Sequence, residues 1–209
     1  MHIQLGQRHI HKVTHPRHLN GMYNTVFWEV ELVDAIDCSN ELLRSDIWVD
    51  HPTKIIPNQR TQCLKTDSDI LTKILNLPDQ HRAEFIRAAA QVDTDTRDAY
   101  FKKLWPMGVD YYIHNTKTQA TVNYDTPGFA MATHCDNNHV VMQLIINLTD
   151  NNTGTEMFDI ISPDPYYTMT GQQNKGIIFL NGAGALHTVR NVNKDRYTLY
   201  SAITIGLVF

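Results

Sequence analysis

From residue 109 onward, apolar residues come in short runs cut by turn-forming residues. Segments 110–115, 119–125, 130–136, 140–148, 155–160, 166–170, 175–181, 185–192 and 196–208 are rich in β-branched and aromatic residues, so strands are predicted there. The separators are turn signals: Pro127-Gly128, Asp150 to Gly154, Pro163-Asp164-Pro165, Gly171, Asn181-Gly182 and Asn193-Lys194-Asp195. Short strands at this spacing predict two packed sheets in a jelly roll. Before residue 109 the pattern is mixed. Residues 24–36 alternate apolar and polar and predict a strand, while 39–65 read as loop with a short helical piece. Three helical stretches follow: Asp67 to Leu77, stopping at Pro78; His81 to Gln91; and Thr94 to Trp105.

The fold class is therefore mainly β with flanking helices around a jelly-roll core. A length of 209 residues suits one domain, 1–209, with 1–108 supplying mixed strands and covering helices and 109–209 the core that carries the site. The net charge of −4 provides no global attraction to nucleic acid, and no Arg/Lys run with interleaved aromatics is present. Three cysteines, Cys38, Cys63 and Cys135, form no C-x-x-C pair and suit a reducing compartment. No signal-peptide core and no membrane-spanning run is visible, so the expected setting is cytoplasmic. Five of the eleven histidines (His2, His9, His11, His15 and His18) crowd the first eighteen residues without the spacing of a metal motif. They read as solvated histidines on a strand or loop.

Candidate chemistry lies in the second half. His134 and Asp136 are separated by one residue, so on a strand they share a face and Cys135 between them points away into packing. His187 follows after 51 residues and Arg196 nine later. Two imidazoles and one carboxylate on one face of an ion are the ligand set of non-haem Fe(II) oxygenases. A jelly roll can bring the two segments together because its sheets face one another across the core. His139 is the competing ligand and reads as a loop residue near the mouth. Arg196, Thr198 and Tyr200 alternate onto one face of the last strand. A guanidinium there implies an anionic partner, with Thr198 offering a second contact. Arg190 is the alternative anchor, turned to the other face. Gln143 and Asn147 either line the pocket or are satisfied core amides.

These residues resemble the Fe(II)- and 2-oxoglutarate-dependent oxygenase superfamily, most closely its prolyl-4-hydroxylase-like branch. The resemblance covers roughly residues 110–205. Tyr124-Asp-Thr-Pro-Gly128 precedes His134-Cys-Asp136; Leu144-Ile-Ile-Asn-Leu148 runs to Thr153-Gly-Thr-Glu-Met-Phe158; Lys175-Gly-Ile-Ile-Phe179 leads to Leu186-His187; and Arg196-Tyr-Thr198 matches an Arg-x-Ser/Thr element. Two positions depart from the pattern. Thr153 replaces the first glycine of a Gly-Gly turn, and Arg196 stands where prolyl hydroxylases commonly carry lysine.

The resemblance implies a double-stranded β-helix, with His134, Asp136 and His187 holding Fe(II). It further implies 2-oxoglutarate as co-substrate, its distal carboxylate on Arg196 with help from Thr198 and the Tyr124 hydroxyl, and O2 as oxidant. The expected reaction is hydroxylation of a C–H bond, with succinate and CO2 as co-products. The expected partner is a peptide or small-molecule substrate, with peptidyl proline ahead of a free amino acid or small metabolite. The rivals are a cupin-like metalloenzyme that uses no 2-oxoglutarate and a non-catalytic jelly-roll binding module.

Overall fold

Alternation along the central strands sends every second side chain to the opposite face, and both faces are buried. This is why the strands read as nearly unbroken apolar runs. In the computed structural model, residues 1–11, 25–50, 60–96, 107–136, 139–151, 153–158, 162–181, 185–190 and 192–205 are described. The strands are β1 (His2–His11), β2 (Thr25–Val33), β3 (Val49–Asp50), β4 (Arg60–Cys63), β5 (Thr116–Asp125), β6 (Val140–Asn147), β7 (Thr155–Phe158), β8 (Pro165–Thr168), β9 (Lys175–Leu180), β10 (Leu186–Val189) and β11 (Arg196–Ile205). The helices are α1 (Ser39–Leu42), α2 (Asp69–Thr96) and α3 (Val109–Asn115).

Eight strands form one antiparallel sheet in the order β1-β2-β9-β6-β11-β5-β4-β3, and a three-stranded sheet, β10-β7-β8, packs against it. One face of the large sheet, through Trp28, Val30, Leu144, Ile146, Ile178 and Leu199, joins a core completed by Leu71, Ile74, Phe85 and Ile86 of α2. The opposite face, through Phe27, Ile145, Ile177 and Phe179, meets Met157 and Met169 of the small-sheet layer. The arrangement is a jelly-roll core with a helical cover, as the pattern predicted. Four strands of the large sheet come from the first 108 residues, so this half builds the sheet as well as covering it. No helix among the described residues is long and apolar enough to cross a membrane.

Several local expectations are corrected. The helix predicted to stop at Pro78 continues through it as α2 and reaches the third predicted helix at Thr96; residues 97–105 of that third segment lie outside the described residues. Proline removes one i→i−4 hydrogen bond. Here the stripe Leu71, Ile74, Leu77, Phe85, Ile86, Ala89 and Val92 is buried on both sides of Pro78, and burial over that length outweighs the local loss. Its start is legible: the Ser68 hydroxyl accepts the Leu71 N–H at 3.4 Å. Segment 110–115, expected to be a strand, is helix α3. Its end is closed by the Asn115 amide and the Thr116 hydroxyl, which donate to the carbonyls of Tyr111 and Tyr112 at 2.8 and 2.7 Å. Segment 130–136 is not a strand among the described residues; only His134 makes an isolated bridge. At the N-terminus, β1 leaves His2 exposed but packs its other two histidines: the His9 ring stacks on Phe27 at 4.6 Å and the His11 ring on Tyr166 at 3.8 Å. His15 and His18 lie outside the described residues.

Gly176 of β9 pairs with Ile146 of β6, and a Cβ there would collide with the Ile145 carbonyl oxygen. Gly176→Ala is therefore expected to lower stability by about 1–3 kcal/mol through overpacking. Chemical denaturation should show a lower midpoint with an unchanged slope.

Candidate metal centre

The 129–134 segment runs beside β10 without forming a regular ladder. Its last tie is mutual: the His134 N–H donates to the His187 carbonyl at 3.1 Å, and the His187 N–H to the His134 carbonyl at 2.9 Å. The two histidines are thus cross-strand neighbours in one layer, not partners facing each other across the core as the sequence suggested. Their rings lie 4.4 Å apart. Each ring is oriented from behind. His134 Nδ1 donates to the Ala132 carbonyl at 2.9 Å, and His187 Nδ1 donates to the Ala185 carbonyl at 3.0 Å. A carbonyl only accepts, so each Nδ1 carries a proton, which leaves Nε2 as the nitrogen that each ring can offer a metal.

Asp136 completes the group. One ligand atom from each of His134, Asp136 and His187 lies within 4.8 Å of the others. Asp136 Oδ1 is 3.3 Å from His134 Nε2, while Oδ2 accepts a 2.6 Å hydrogen bond from the Tyr200 hydroxyl. Burial pushes the Asp136 carboxyl up, but hydrogen bonds from His134 and Tyr200 and the neighbouring imidazoles outweigh it and hold the group below the usual carboxylate range. The Asp136 hydrogen bond raises His134. His187 is only 5% exposed, and burial drives it down to about 4, so it is a neutral nitrogen donor at physiological pH. Burial and the Asp136 charge raise the Tyr200 phenol far above its ordinary value, which keeps it a donor.

The three residues open on a cavity of about 550 Å³. Along β11 the cavity face carries Arg196, Thr198, Tyr200, Ala202 and Thr204, the alternation read from the sequence. At one end, Arg196 is 1% exposed. Its Nη1 donates to Asp125 Oδ2 at 2.8 Å and its Nη2 to the Thr155 hydroxyl at 3.4 Å, but its Nε is buried without a partner. Arg60 reaches the same carboxylate, Nε to Oδ1 at 2.5 Å and Nη2 to Oδ2 at 2.8 Å, with its guanidinium 4.3 Å from the centre of the Phe129 ring. Register explains the trio: Asp125 of β5 lies opposite Arg60 of β4 on one side and Arg196 of β11 on the other. Two guanidiniums around one carboxylate leave a net positive charge among largely buried groups, which one further carboxylate would neutralise. At the other end lie Gln119, His139, Val140, Ala202 and Thr204.

The remaining candidates sort as follows. Tyr124 does not face the cavity. Alternation places Asn123 inward, and Tyr124 turns outward to stack on Tyr197 at 4.8 Å and donate to Asp195 at 3.1 Å. Thr198 lines the cavity beside Arg196. Arg190 stays outside it, its Nε 2.7 Å from Glu156 and its guanidinium over Phe158. His139 lies at the rim and is not part of the metal-competent group. Cys135 lines the cavity instead of packing away from it, because segment 130–136 is not an alternating strand. Gln143 and Asn147 are buried amides that brace neighbouring segments, with Nδ2 of Asn147 donating to the carbonyls of Thr170 and Gln172 at 2.8 and 3.3 Å. Sequence reasoning missed Arg60 and Asp125. The signal for Asp125 was a carboxylate on the inward face of a strand; Arg60, the first residue of the short strand β4, offered none.

No protein-family model matches the sequence, and no curated protein does. Solved structures do match in fold. The truncated viral collagen prolyl hydroxylase from Paramecium Bursaria Chlorella virus-1 superposes with a TM-score of 0.54 at 13% identity over 93% of this chain and 96% of that one. Its 2OG complex gives 0.53 at 11% identity, covering 86% and 95%. A Pseudomonas putida prolyl-4-hydroxylase gives 0.50 at 11% identity, covering 80% and 82%. The chain shares the fold of these proteins.

Proposed function

We propose that this chain is a non-haem Fe(II)- and 2-oxoglutarate-dependent dioxygenase that hydroxylates a C–H bond. The observation that carries it is the convergence of two Nε2 atoms and one carboxylate at the wall of a cavity whose far end holds a buried guanidinium with an unpartnered Nε. Two nitrogens and one oxygen fit ferrous iron and leave positions open for co-substrate and oxygen. When bound, the iron supplies the oxygen chemistry that couples conversion of 2-oxoglutarate into succinate and CO2 to transfer of one oxygen atom into the substrate.

The chain's residues do the rest. His134, Asp136 and His187 hold the metal. Arg196 offers its Nε–Nη2 edge to the distal carboxylate of 2-oxoglutarate, because Asp125 occupies Nη1; Thr198 and Thr155 add hydroxyls beside that edge. Arg60 keeps the local charge positive despite Asp125. Phe129, Ile145 and Val189 line the cavity and limit water. Substrate enters from the rim at Gln119 and His139.

A peptidyl proline is the leading substrate, supported by a fold shared with proteins described as prolyl hydroxylases. A free amino acid or small metabolite is the second reading, favoured by a cavity of small-ligand size. The test is release of labelled CO2 from 2-oxoglutarate with Fe(II), alongside a mass screen for products one oxygen heavier over proline-containing peptides and free amino acids. Wild-type protein should release CO2 and His134→Ala should not. Equal release from both would sink the assignment, and the class of product that gains oxygen decides the substrate.

A further inference from the structure

Beyond its contact with His134, Asp136 is held at two points. Its main-chain carbonyl accepts from Asn181 Nδ2 at 3.3 Å, and its Oδ2 accepts from the Tyr200 hydroxyl at 2.6 Å. The phenol does not depend on the Asp136 segment for its position. Tyr200 belongs to β11, opposite Thr121 of β5 and Ile145 of β6, and its ring packs against the cluster of Phe27, Ile145 and Phe179. The sheet therefore fixes a donor against one oxygen of the carboxylate. The other oxygen, Oδ1, is the one beside His134 Nε2.

We propose that Tyr200 is a positioning residue that restricts Asp136 to one-oxygen ligation, so that the metal keeps an open coordination position. This rests on the oxygenase reading above. A six-coordinate ion with three protein donors has three positions left. A chelating 2-oxo acid takes two, and oxygen needs the third. A carboxylate freed to bind through both oxygens would take one of them. The Tyr200 hydrogen bond engages one lone pair of Oδ2 and holds that oxygen toward the phenol, in competition with its binding the metal.

The test uses the full chain stripped of metal and titrated anaerobically with Co(II), in wild type and Tyr200→Phe, which keeps the ring and removes only the hydroxyl. Three quantities are read: Co(II) affinity, the visible d–d spectrum, and affinity of the Co(II)-loaded protein for 2-oxoglutarate. The variant should bind Co(II) no more weakly than wild type, with a changed d–d spectrum. Its affinity for 2-oxoglutarate should fall by about 10-fold or more, which corresponds to about 1.4 kcal/mol or more. Equal losses in Co(II) and 2-oxoglutarate affinity would mean that the hydroxyl only helps build the site, and the proposal falls. An unchanged spectrum with unchanged 2-oxoglutarate affinity also overturns it. Failure of the wild type itself to take up Co(II) overturns the metal-site reading as well, which separates the two.

Discussion

His187→Ala is expected to abolish turnover and to weaken metal binding by more than about 100-fold, the upper figure for perturbing only the groups behind a ligand. His187 is the one ligand that is almost fully buried. Its Nδ1 is committed to the Ala185 carbonyl, so its Nε2 is the only nitrogen available to a metal. Burial keeps that ring neutral at physiological pH, and its removal takes away a donor without removing a charge. The loss should therefore persist at high ionic strength, unlike a screened Coulombic effect. Two donors one residue apart, His134 and Asp136, would remain. His139→Ala is the control: that side chain sits at the rim, outside the metal-competent group, so affinity should stay near wild type. Calorimetric titration of the metal-free proteins with Mn(II) measures both. A His187→Ala protein that binds Mn(II) like wild type would remove the site from the fold's interior altogether.

The strands were legible because their signal is two-sided burial. β6 and β9 are largely apolar, interrupted within β6 by Gln143, and in the structure successive residues go to different cores, Leu144 and Ile146 to one and Ile145 to the other. The helix boundaries were less legible because proline is a local signal and packing is not. Pro78 stops a helix unless the stripe continues past it, and here the stripe does. Segment 110–115 failed for a related reason. Tyr111, Tyr112 and Ile113 carry strand propensity, but an end closed by Asn115 and Thr116 stabilises a helix instead.

The site followed the same division. His134, Asp136 and His187 could be read because their order and residue types name a chemistry, although the route by which they meet could not. They meet through a single bridge between a loop-like segment and an edge strand. Tyr124 was misplaced because a family pattern carries no register, and β5 shows that its neighbours Asn123 and Asp125 face inward. Arg60 escaped because its role exists only in register. Nothing in a stretch of sequence 65 residues away from Asp125 marks the two as partners.

That pairing sets the second large effect. Arg196→Ala should raise the dissociation constant for 2-oxoglutarate at least about 30-fold, since truncating one partner of a buried charge-assisted pair costs about 2–5 kcal/mol. With Arg196 gone, Asp125 and Arg60 would neutralise one another, and the distal carboxylate would enter a pocket with no net positive charge and no free guanidinium edge. Asp125 would also become a standing repulsion toward the ligand. Asp125 keeps two hydrogen bonds from Arg60, so the carboxylate is not stranded and the protein should still fold. Arg190→Ala removes a guanidinium of equal charge that is paired outside the cavity, and should leave 2-oxoglutarate affinity unchanged. Titration of the Mn(II)-loaded variants with 2-oxoglutarate distinguishes the two. A large loss in Arg190→Ala with none in Arg196→Ala would move the co-substrate out of the main cavity and onto the surface where Arg190 lies over Phe158.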